Sequence, residues 1–358
     1  MIYIIIGTKG QFIKMFPVMK LMDKRRIPYI FVHTSQHYRF IEDNRKRLRV
    51  RKPDIYLTVK KKDLSNIQDV LRWAPKVLWK ARHLSITPRD YVLLHGDTET
   101  TFLSLLIAKY FRAKTIHIES GARTGNLFEP FPEELIRIIT DRFSDICFSP
   151  FPEDAANLMY RDNVYYSFGN TVFDSVKYAL TGKPSVKVKK LLKRRNVIFL
   201  IHRKENLFDK ERLSSIMAIF ELILQKGYCI IWPMHTNTRY ELEKKGYWKK
   251  IDQWQRDGKL TVIYFLDYID FMHLVKQSEF IASDGGGLQQ ETYVLNRPML
   301  VLRKHIENKM LDSKTAYLSK LDLPRVRYFL KHFKKFINPH PPTSSPATFI
   351  VDVIEKLP

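Results

Sequence analysis

Apolar residues fall in short continuous runs that alternate with helical patterns, and the alternation occurs in both halves of the chain. In the first half, strands are predicted for the apolar runs at 2–6, 28–33, 91–95, 114–118 and 146–148. Helices are predicted between them near 12–23, 65–82, 99–111 and 133–143. In the second half, strands are predicted at 196–201, 228–232, 260–264, 279–283 and 298–302, and helices near 209–225, 270–277 and 288–295.

This pattern predicts an α/β protein of two Rossmann-like, doubly wound parallel-sheet domains facing a central cleft. Continuously apolar, β-branched strands are typical of parallel sheets that are covered on both faces. We expect domains at 1–175 and 176–346, and a terminal helix over 347–358 that packs back on the first domain. The stretch Thr181–Arg195 contains Gly182, Pro184 and many basic residues, and it is interpreted as a linker.

Size and cysteine content agree with a cytoplasmic protein of two domains. A chain of 358 residues is longer than a typical domain with a single hydrophobic core. No apolar run in it is long enough to span a bilayer. The first residues, MIYIIIG, are typical of a strand rather than a signal peptide. Cys147 and Cys229 are isolated in apolar stretches, which favours reduced side chains.

The formal net charge of +24 is compatible with three kinds of partner: nucleic acid, an anionic membrane surface and polyanionic substrates. The basic clusters are not interleaved with aromatic residues in a nucleic-acid-binding motif. The composition therefore favours a solvated basic surface over nucleic acid, and peripheral contact with an anionic membrane stays open.

Carboxylates gather around the predicted strand ends of the first half. The segment HIESGARTGNLFEPFPEELIR at 117–137 contains Glu119, Arg123, Glu133 and Glu134, with Pro130 and Pro132 restricting the loop. A capped surface loop with exposed ion pairs is the alternative interpretation. The motif HGDTET at 95–100 follows another apolar strand and favours a site, because Asp97 and Glu119 would then lie at neighbouring strand ends.

Glycine-rich turns suggest where a diphosphate binds. Ser283-Asp284-Gly285-Gly286-Gly287 lies between a strand and a helix, where close backbone approach and the helix dipole favour phosphate. Glu291, one turn into that helix, is a candidate for the ribose hydroxyls. The first strand ends in Gly7-Thr8-Lys9-Gly10-Gln11, and Lys9 and Lys14 are candidates to close on the same diphosphate; a purely structural turn is the alternative.

Two histidines, His202 and His235, follow adjacent predicted strands of the second half. Histidine carries protons near neutral pH and donates hydrogen bonds to phosphate. The sequence lacks paired metal-ligand spacing and a Gly-x-Ser-x-Gly nucleophile turn, so metal and acyl-transfer chemistry are disfavoured. These residues together predict chemistry on a sugar attached to a nucleoside diphosphate.

Several motifs also resemble those of a known family. They are HGDTET, ESGARTG…PFPEE, GNTVFD at 169–174, HRKEN at 202–206 and DGGGLQQE at 284–291. From its N-terminus to about residue 307, the chain resembles the non-hydrolysing UDP-N-acetylglucosamine 2-epimerases, which have the glycosyltransferase-B (GT-B) fold.

This resemblance implies that the C2 proton leaves while UDP departs from C1, and that UDP then adds back to the glycal with C2 inverted. It implies acid and base roles for Asp97, Glu119 and Glu133, without assigning any of them to one face of the sugar. It also implies a place near the diphosphate for His202. The nucleotide-sugar contacts that it implies are Lys14, Phe271, Gly286, Gly287 and Glu291. The family's chemistry needs no redox cofactor and no metal, and homodimers are usual in it.

The chain departs from the family mainly where the nucleotide binds. Lys9-Gly10-Gln11 replaces Arg-Pro-Glu, Gly285 replaces a serine, Leu266 replaces a glutamine, and Glu307-Asn308-Lys309-Met310 replaces Glu-Arg-Pro-Glu. The family's regulatory site is represented only by Gln36-His37. Retained proton chemistry with altered substrate specificity is one interpretation. A divergent GT-B glycosyltransferase, a hydrolysing 2-epimerase and a non-enzymatic basic module are the alternatives.

Overall fold

The computed structural model describes residues 1–58, 63–64, 67–125, 131–192, 196–264, 266–305 and 314–358. These residues form two compact units. The first contains Met1–Tyr178 together with Thr343–Pro358, and the second contains Ala179–Pro342.

A parallel sheet organises the first unit. Its strands are β1 (Ile2–Ile6), β2 (Tyr29–His33), β3 (Ile55–Tyr56), β4 (Tyr91–His95), β5 (Lys114–Ile118), β6 (Ile146–Ser149) and β7 (Val164–Tyr166). Within the described residues the strand order is β3-β2-β1-β4-β5-β6-β7, and every pairing is parallel. Ligands of such sheets bind beyond the carboxyl ends of the strands, where the order reverses between β1 and β4.

Helices alternate with the strands of this sheet along the chain. They are α1 (Lys9–Arg25), α2 (Tyr38–Arg47), α3 (Ile67–Ala81), α4 (Glu99–Tyr110), α5 (Glu133–Phe143), α6 (Pro152–Ala156), α7 (Val172–Thr181) and α16 (Pro346–Ile354). The terminal helix α16 packs on α1 with Ile350 and Val351 fully buried. Arg25 of α1 holds Asp352 at 2.6 Å and Glu355 at 3.0 Å.

The second unit has a six-stranded sheet that repeats the order of the first six strands of the first unit. Its strands are β8 (Asn196–Leu200), β9 (Cys229–Pro233), β10 (Leu260–Ile263), β11 (Ile281–Ser283), β12 (Met299–Val301) and β13 (Ala316–Leu318), arranged β10-β9-β8-β11-β12-β13. Its helices are α8 (Val186–Leu191), α9 (Lys204–Phe208), α10 (Lys210–Gln225), α11 (Thr236–Lys244), α12 (Trp248–Arg256), α13 (Tyr268–Gln277), α14 (Gly286–Leu295) and α15 (Leu323–His332), followed by a short 3-10 helix at Phe333–Lys335. The predicted α/β class with two Rossmann-like parallel-sheet units is confirmed.

The segment interpreted as a linker contains helix α8. Ser185 caps this helix by accepting a hydrogen bond from the Val188 N–H, and Val188 is fully buried. The Ser185 N–H donates to Asp270 of α13 at 2.7 Å. The glycine, proline and lysines suggested a linker, but one buried valine and a serine cap are enough to dock a short helix. Residues 193–195 lie outside the described part of the chain.

Every described helix is too short or too polar to cross a membrane.

Candidate active site

Glu119 lies at the centre of a group of polar side chains in the first unit. It follows β5 directly, in a left-handed backbone conformation with φ of 67°. The Lys14 Nζ atom donates to its two carboxylate oxygens at 2.5 and 2.6 Å, and the Asn170 Nδ2 atom donates to Oε1 at 2.9 Å. A left-handed residue other than glycine costs about 1 kcal/mol, so these contacts hold a strained position.

Glu119 remains ionised because its neighbours outweigh its burial. Burial raises the pKa of this carboxyl, but the charge of the Lys14 ammonium lowers it. The nearby His95 ring lowers it further, and the pKa falls to about 2. The side chains of Glu119 and Lys14 are each only 18% exposed. The pair is therefore an internal ion pair rather than a surface salt bridge.

His95 ends β4 and completes the surroundings of Glu119. Its Nε2 atom lies 3.4 Å from the Glu119 Oε2 atom, and neither buried ring nitrogen has a hydrogen-bond partner among the described residues. Burial lowers the pKa of His95 to about 3, with the Glu119 charge opposing that change. A neutral imidazole therefore faces an ionised carboxylate.

Asp97 lies on the neighbouring strand end. Strands β4 and β5 pair with His95 opposite Ile118, and the Gly96 N–H donates to the Ile118 carbonyl at 3.0 Å. Arg137 of α5 forms an ion pair with Asp97 and another with Glu134 at 3.1 Å. The expected arrangement of Asp97 and Glu119 on adjacent strand ends is present, and Arg137 links Asp97 to α5.

Glu133 begins α5 and differs from Glu119 in its electrostatics. Its Oε2 atom is buried without a hydrogen-bond partner among the described residues. Burial raises the pKa of Glu133, and the charges of Asp97 and Glu99 raise it further. The two carboxylates therefore have pKa values displaced in opposite directions, an arrangement typical of acid–base sites.

Asp154 of α6 is a further carboxylate beside this group. Burial raises its pKa to about 7, with a second contribution from the Glu119 charge, while Arg137 lowers it. Its backbone packs against Gly121, where an added Cβ atom would lie 2.1 Å from the Asp154 carbonyl oxygen. Glycine at 121 is thus required by the close approach of α6 and by its φ of 86°.

In the turn after β1, two backbone N–H groups that were expected to face an anion contact a side chain of the same turn. The N–H groups of Gly7 and Thr8 donate to the Gln11 Oε1 atom at 3.0 and 3.1 Å, as part of a capping box. These donors are already occupied. Lys9 lies with its Nζ atom 4.8 Å from the centre of the Phe40 ring. An added Cβ atom at Gly7 would lie 2.1 Å from two threonine hydroxyls, so this glycine serves packing.

Arg123, a predicted substrate-binding residue, contacts a buried acid. Its Nη1 atom donates to the Asp141 Oδ2 atom at 2.6 Å and to the Ala122 carbonyl at 2.8 Å. Asp141 also contacts His117 at 2.8 Å. Sequence reasoning missed Asp141, Arg137 and Asp154, although Arg137 and Asp141 follow Glu133 at spacings of one and two helical turns. Pro130 lies outside the described residues, as does the Glu307–Met310 segment.

The second unit gathers its predicted residues at the ends of β8, β9 and β11. Asp284 accepts hydrogen bonds from the backbone N–H groups of His202 and Arg203 and from Asn206 Nδ2. The His202 Nδ1 atom lies 3.2 Å from Asp284, and the His202 and His235 rings are 5.5 Å apart. Burial raises the pKa of Asp284, but His202 and the other donors lower it below its usual value.

Helix α14 begins beside this histidine pair. Its first residues are Gly286 and Gly287, its N-cap is Gly285, and no side chain caps it. An added Cβ atom at Gly285 would lie 3.3 Å from the His202 ring. Further along α14, the Glu291 charge lies beside the buried Tyr268 hydroxyl; burial raises the pKa of Tyr268 well above its usual range, and this charge adds to it.

Phe271 lies in the first turn of α13 and is partly exposed. In the described part of the chain, no group of three or more His, Cys, Asp or Glu side chains is arranged to hold a metal ion.

Comparisons with known proteins identify relatives of this chain in both sequence and fold. A UDP-N-acetylglucosamine 2-epimerase of Methanococcus maripaludis is 30% identical, with 99% of each chain covered. The crystal structure of UDP-GlcNAc 2-epimerase from Neisseria meningitidis bound to UDP-GlcNAc has a TM-score of 0.84 at 26% identity, covering 99% of this chain and 100% of that one. The Methanocaldococcus jannaschii enzyme in complex with UDP-GlcNAc and UDP has a TM-score of 0.83 at 25% identity, covering 99% of each chain.

The UDP-N-acetylglucosamine 2-epimerase family model matches residues 19–334. The chain therefore belongs to the UDP-N-acetylglucosamine 2-epimerase family.

Proposed function

We propose that this protein interconverts UDP-GlcNAc and UDP-ManNAc, or a related UDP-HexNAc pair, without hydrolysis. The observation that carries this proposal is the set of carboxylates at the ends of β4 and β5 and the start of α5. Within this set the pKa of Glu119 is lowered and that of Glu133 is raised. Family membership and the relatives solved with UDP-GlcNAc support the substrate class.

The proposed reaction is an elimination followed by an addition. A carboxylate takes the C2 proton, the C2–H electron pair forms the C1=C2 bond, and the C1–O bond breaks to release UDP as the leaving group. UDP oxygen then bonds to C1 of the glycal, and C2 receives a proton on the opposite face. No electrons are gained or lost overall, and the proton taken is balanced by the proton returned.

Glu133 is our candidate for the group that exchanges a proton with C2. Its raised pKa brings it closer to neutral pH, where a proton carrier is most effective. Glu119, whose pKa is held near 2, is our candidate for a permanent anion that orients Lys14. Asp97, paired with Arg137, is our candidate for the proton carrier of the opposite face.

In this proposal the second unit binds UDP. The uncapped start of α14 offers backbone N–H groups to the diphosphate, and His202 lies beside it to assist departure of UDP. Glu291 is the candidate for the ribose hydroxyls, and Phe271 for stacking near the uracil. His235 adds a second imidazole beside His202.

Incubation with UDP-GlcNAc in deuterated water tests the proposal. We expect UDP-ManNAc to form with deuterium at C2, because the abstracted proton exchanges with solvent. Glu133→Gln should lower the rate by at least about 100-fold, since proton transfer by a positioned side chain contributes roughly 100- to 10,000-fold. Absence of both exchange and epimer with a panel of UDP-HexNAc substrates would refute it.

A hydrolysing 2-epimerase or a glycosyltransferase is the second candidate, favoured by Gly285 at the start of α14. Glycine there removes the hydroxyl that the family's serine would place beside His202. This reaction would release free UDP together with free sugar or a glycosylated acceptor. Product analysis by mass spectrometry separates it from epimerisation, in which UDP and sugar are recovered joined.

We also propose that the protein forms a homodimer through α3, α4 and α5. These neighbouring helices carry large exposed apolar side chains, with Leu71 67%, Trp79 55%, Tyr110 68% and Phe143 57% exposed. Exposed apolar groups on one set of helices are typical of a surface that is covered in the assembly. Light scattering should give the mass of two chains, and Tyr110→Glu with Trp79→Glu should give that of one; a monomeric wild type would refute this.

A further inference from the structure

Asp141, in the last part of α5, is fully buried and contacts polar groups of three residues. Its Oδ1 atom contacts the His117 Nδ1 atom at 2.8 Å. Its Oδ2 atom accepts hydrogen bonds from the Gly121 N–H at 3.0 Å and from Arg123 at 2.6 Å. Burial raises the pKa of this carboxyl, but His117 and Arg123 lower it below its usual value, so Asp141 is ionised.

These contacts enclose Glu119. His117 lies two residues before it, and Gly121 lies two residues after it. Asp141 therefore fixes the chain on both sides of the left-handed residue that bears the carboxylate.

The same cluster reaches the other two carboxylates. The His117 Nε2 atom contacts the carbonyl oxygen of Gly96, the residue before Asp97, at 2.8 Å. Asp141 lies on the same helix as Glu133, eight residues later, which places both near one face because eight residues span about two turns. One buried side chain is thus connected to the elements bearing Asp97, Glu119 and Glu133.

The two ring nitrogens of His117 hold the imidazole between two fixed partners. Both partners, the Asp141 carboxylate and the Gly96 carbonyl, are hydrogen-bond acceptors. A ring with one proton can satisfy only one of them at a time. Its two contacts tie the ring to α5 on one side and to the turn after β4 on the other.

We propose that Asp141 and His117 are positioning residues that set the relative placement of Asp97, Glu119 and Glu133. The expected effect on kcat rests on the proposed function, whereas the expected effect on backbone hydrogen exchange does not. Proton transfer requires placement within a fraction of an ångström, so loosening this cluster slows the chemical step more than it weakens nucleotide binding.

The test compares Asp141→Asn with a matched control, Asp145→Asn. Asp145 lies four residues later, accepts hydrogen bonds from the Thr115 N–H and hydroxyl at 2.8 and 2.7 Å, and so fixes the opposite end of β5, away from the carboxylates. Hydrogen exchange of backbone amides, followed by mass spectrometry, is measured for the 117–125 segment and for the residues around Gly96 in the absence of ligand. This readout needs no enzymatic activity.

We expect Asp141→Asn to increase exchange in the 117–125 segment by about tenfold, because the Gly121 N–H loses a charged acceptor. Asp145→Asn should leave exchange at Gly121 unchanged. His117→Asn keeps a donor toward Asp141 and removes the link to Gly96, so it should increase exchange near Gly96 alone. It also provides a second variant if Asp141→Asn does not fold.

In the kinetic arm, Asp141→Asn should lower kcat by about 100-fold with KM for UDP-GlcNAc nearly unchanged, when rates are normalised to UDP-binding protein. Asp145→Asn should keep the wild-type kcat. Unchanged exchange at 117–125 in Asp141→Asn, or equal losses of kcat in the Asp141 and Asp145 variants, would overturn the inference. A wild type without epimerase activity would refute the proposed function instead and leave the exchange result to decide the positioning role.

Discussion

Lys14 and Glu119 form a partly buried ion pair in which each partner balances the charge of the other. Two contacts of 2.5 and 2.6 Å join the ammonium to both carboxylate oxygens. Removing one partner of a buried pair leaves an uncompensated charge in a poorly solvated place. The Lys14 ammonium also lowers the pKa of Glu119 to about 2, so this carboxylate is ionised at neutral pH.

Lys14→Met should destabilise the first unit at neutral pH by about 3 kcal/mol. A lowered pKa contributes stability that is present above the unfolded value of about 4.5 and is lost as pH falls toward 2. The difference between wild type and variant should therefore shrink as pH decreases from 7 to 3. Urea unfolding at several pH values measures it.

Lys24→Met is the matched control, because Lys24 lies in the last turn of the same helix and is exposed. It should change the unfolding free energy by less than about 0.5 kcal/mol at every pH. A constant difference between Lys14→Met and wild type across this pH range would contradict the assigned ionisation of Glu119.

Asp154→Asn should stabilise the protein at alkaline pH and have little effect at pH 4. The folded pKa of Asp154 is raised to about 7, so the folded state holds a proton that the unfolded chain releases near pH 4. Wild-type stability therefore falls as pH rises between these values, and asparagine removes that loss. Thermal unfolding from pH 4 to 8 checks this, with Glu153→Gln as control; equal effects at pH 4 and pH 8 would refute it.

The sequence indicated the carboxylates better than it indicated their partners. Asp97 and Glu119 follow apolar strands directly, so parallel pairing was enough to bring them to one edge of the sheet. Asp154 was not identified, because its neighbours depend on how α6 packs against Gly121. The occupation of the Gly7 and Thr8 donors by Gln11 likewise depends on a side-chain orientation that apolar periodicity does not report.

Among the structural elements, the loop after β5 shows how backbone conformation and packing act together. Gly121 and Gly125 both have positive φ, at 86° and 77°. A Cβ atom at Gly121 would lie 2.1 Å from the Asp154 carbonyl oxygen, whereas one at Gly125 would meet nothing within 4 Å. The two positions therefore separate backbone strain from steric clash.

Gly125→Ala should cost about 1 kcal/mol of stability from strain alone. Gly121→Ala should cost clearly more, because α6 must move away, and it should also lower activity since Glu119 lies two residues earlier. Thermal unfolding measures the loss of stability, and deuterium exchange at C2 of the substrate sugar measures the loss of activity. Equal destabilisation by both substitutions would show that the clash is relieved without cost.

The sequence predicted long elements more reliably than short ones. Extended apolar runs such as those of β1 and β4 can be recognised as strands from the sequence, because a strand that is buried on both faces is apolar at nearly every position. Strands β3, β7 and β13 contain only two or three residues, and pairing with a neighbouring strand defines them more than their own composition. Helix α8 was missed for a similar reason, because Val188 is its one fully buried side chain.

At the scale of the whole molecule, the net charge of +24 is not explained by the proposed reaction. Helix α15 and the short 3-10 helix after it expose Arg327, Lys331, Lys334 and Lys335. Tyr328 and Ile337 are exposed nearby, at 51% and 47%. Basic and apolar groups together are typical of surfaces that rest on anionic lipid, so peripheral membrane contact stays a prediction.

We expect the protein to co-sediment with phosphatidylglycerol vesicles at low salt and to be released as salt increases, because the attraction is electrostatic. Phosphatidylcholine vesicles are the control. Lys331→Glu with Lys334→Glu and Lys335→Glu should abolish sedimentation while epimerase activity persists. Equal binding to both kinds of vesicle would exclude an electrostatic mechanism.

The return of α16 to α1 has a consequence for biosynthesis. The first unit is discontinuous along the chain, since all of Ala179–Pro342 lies between its two parts. At roughly 5–20 residues per second, a ribosome needs about 10 to 30 s to synthesise that insertion. During this interval α1 lacks the buried residues Ile350 and Val351 of its partner helix. The nascent first unit therefore exposes an apolar surface to chaperones until the inserted unit has been made.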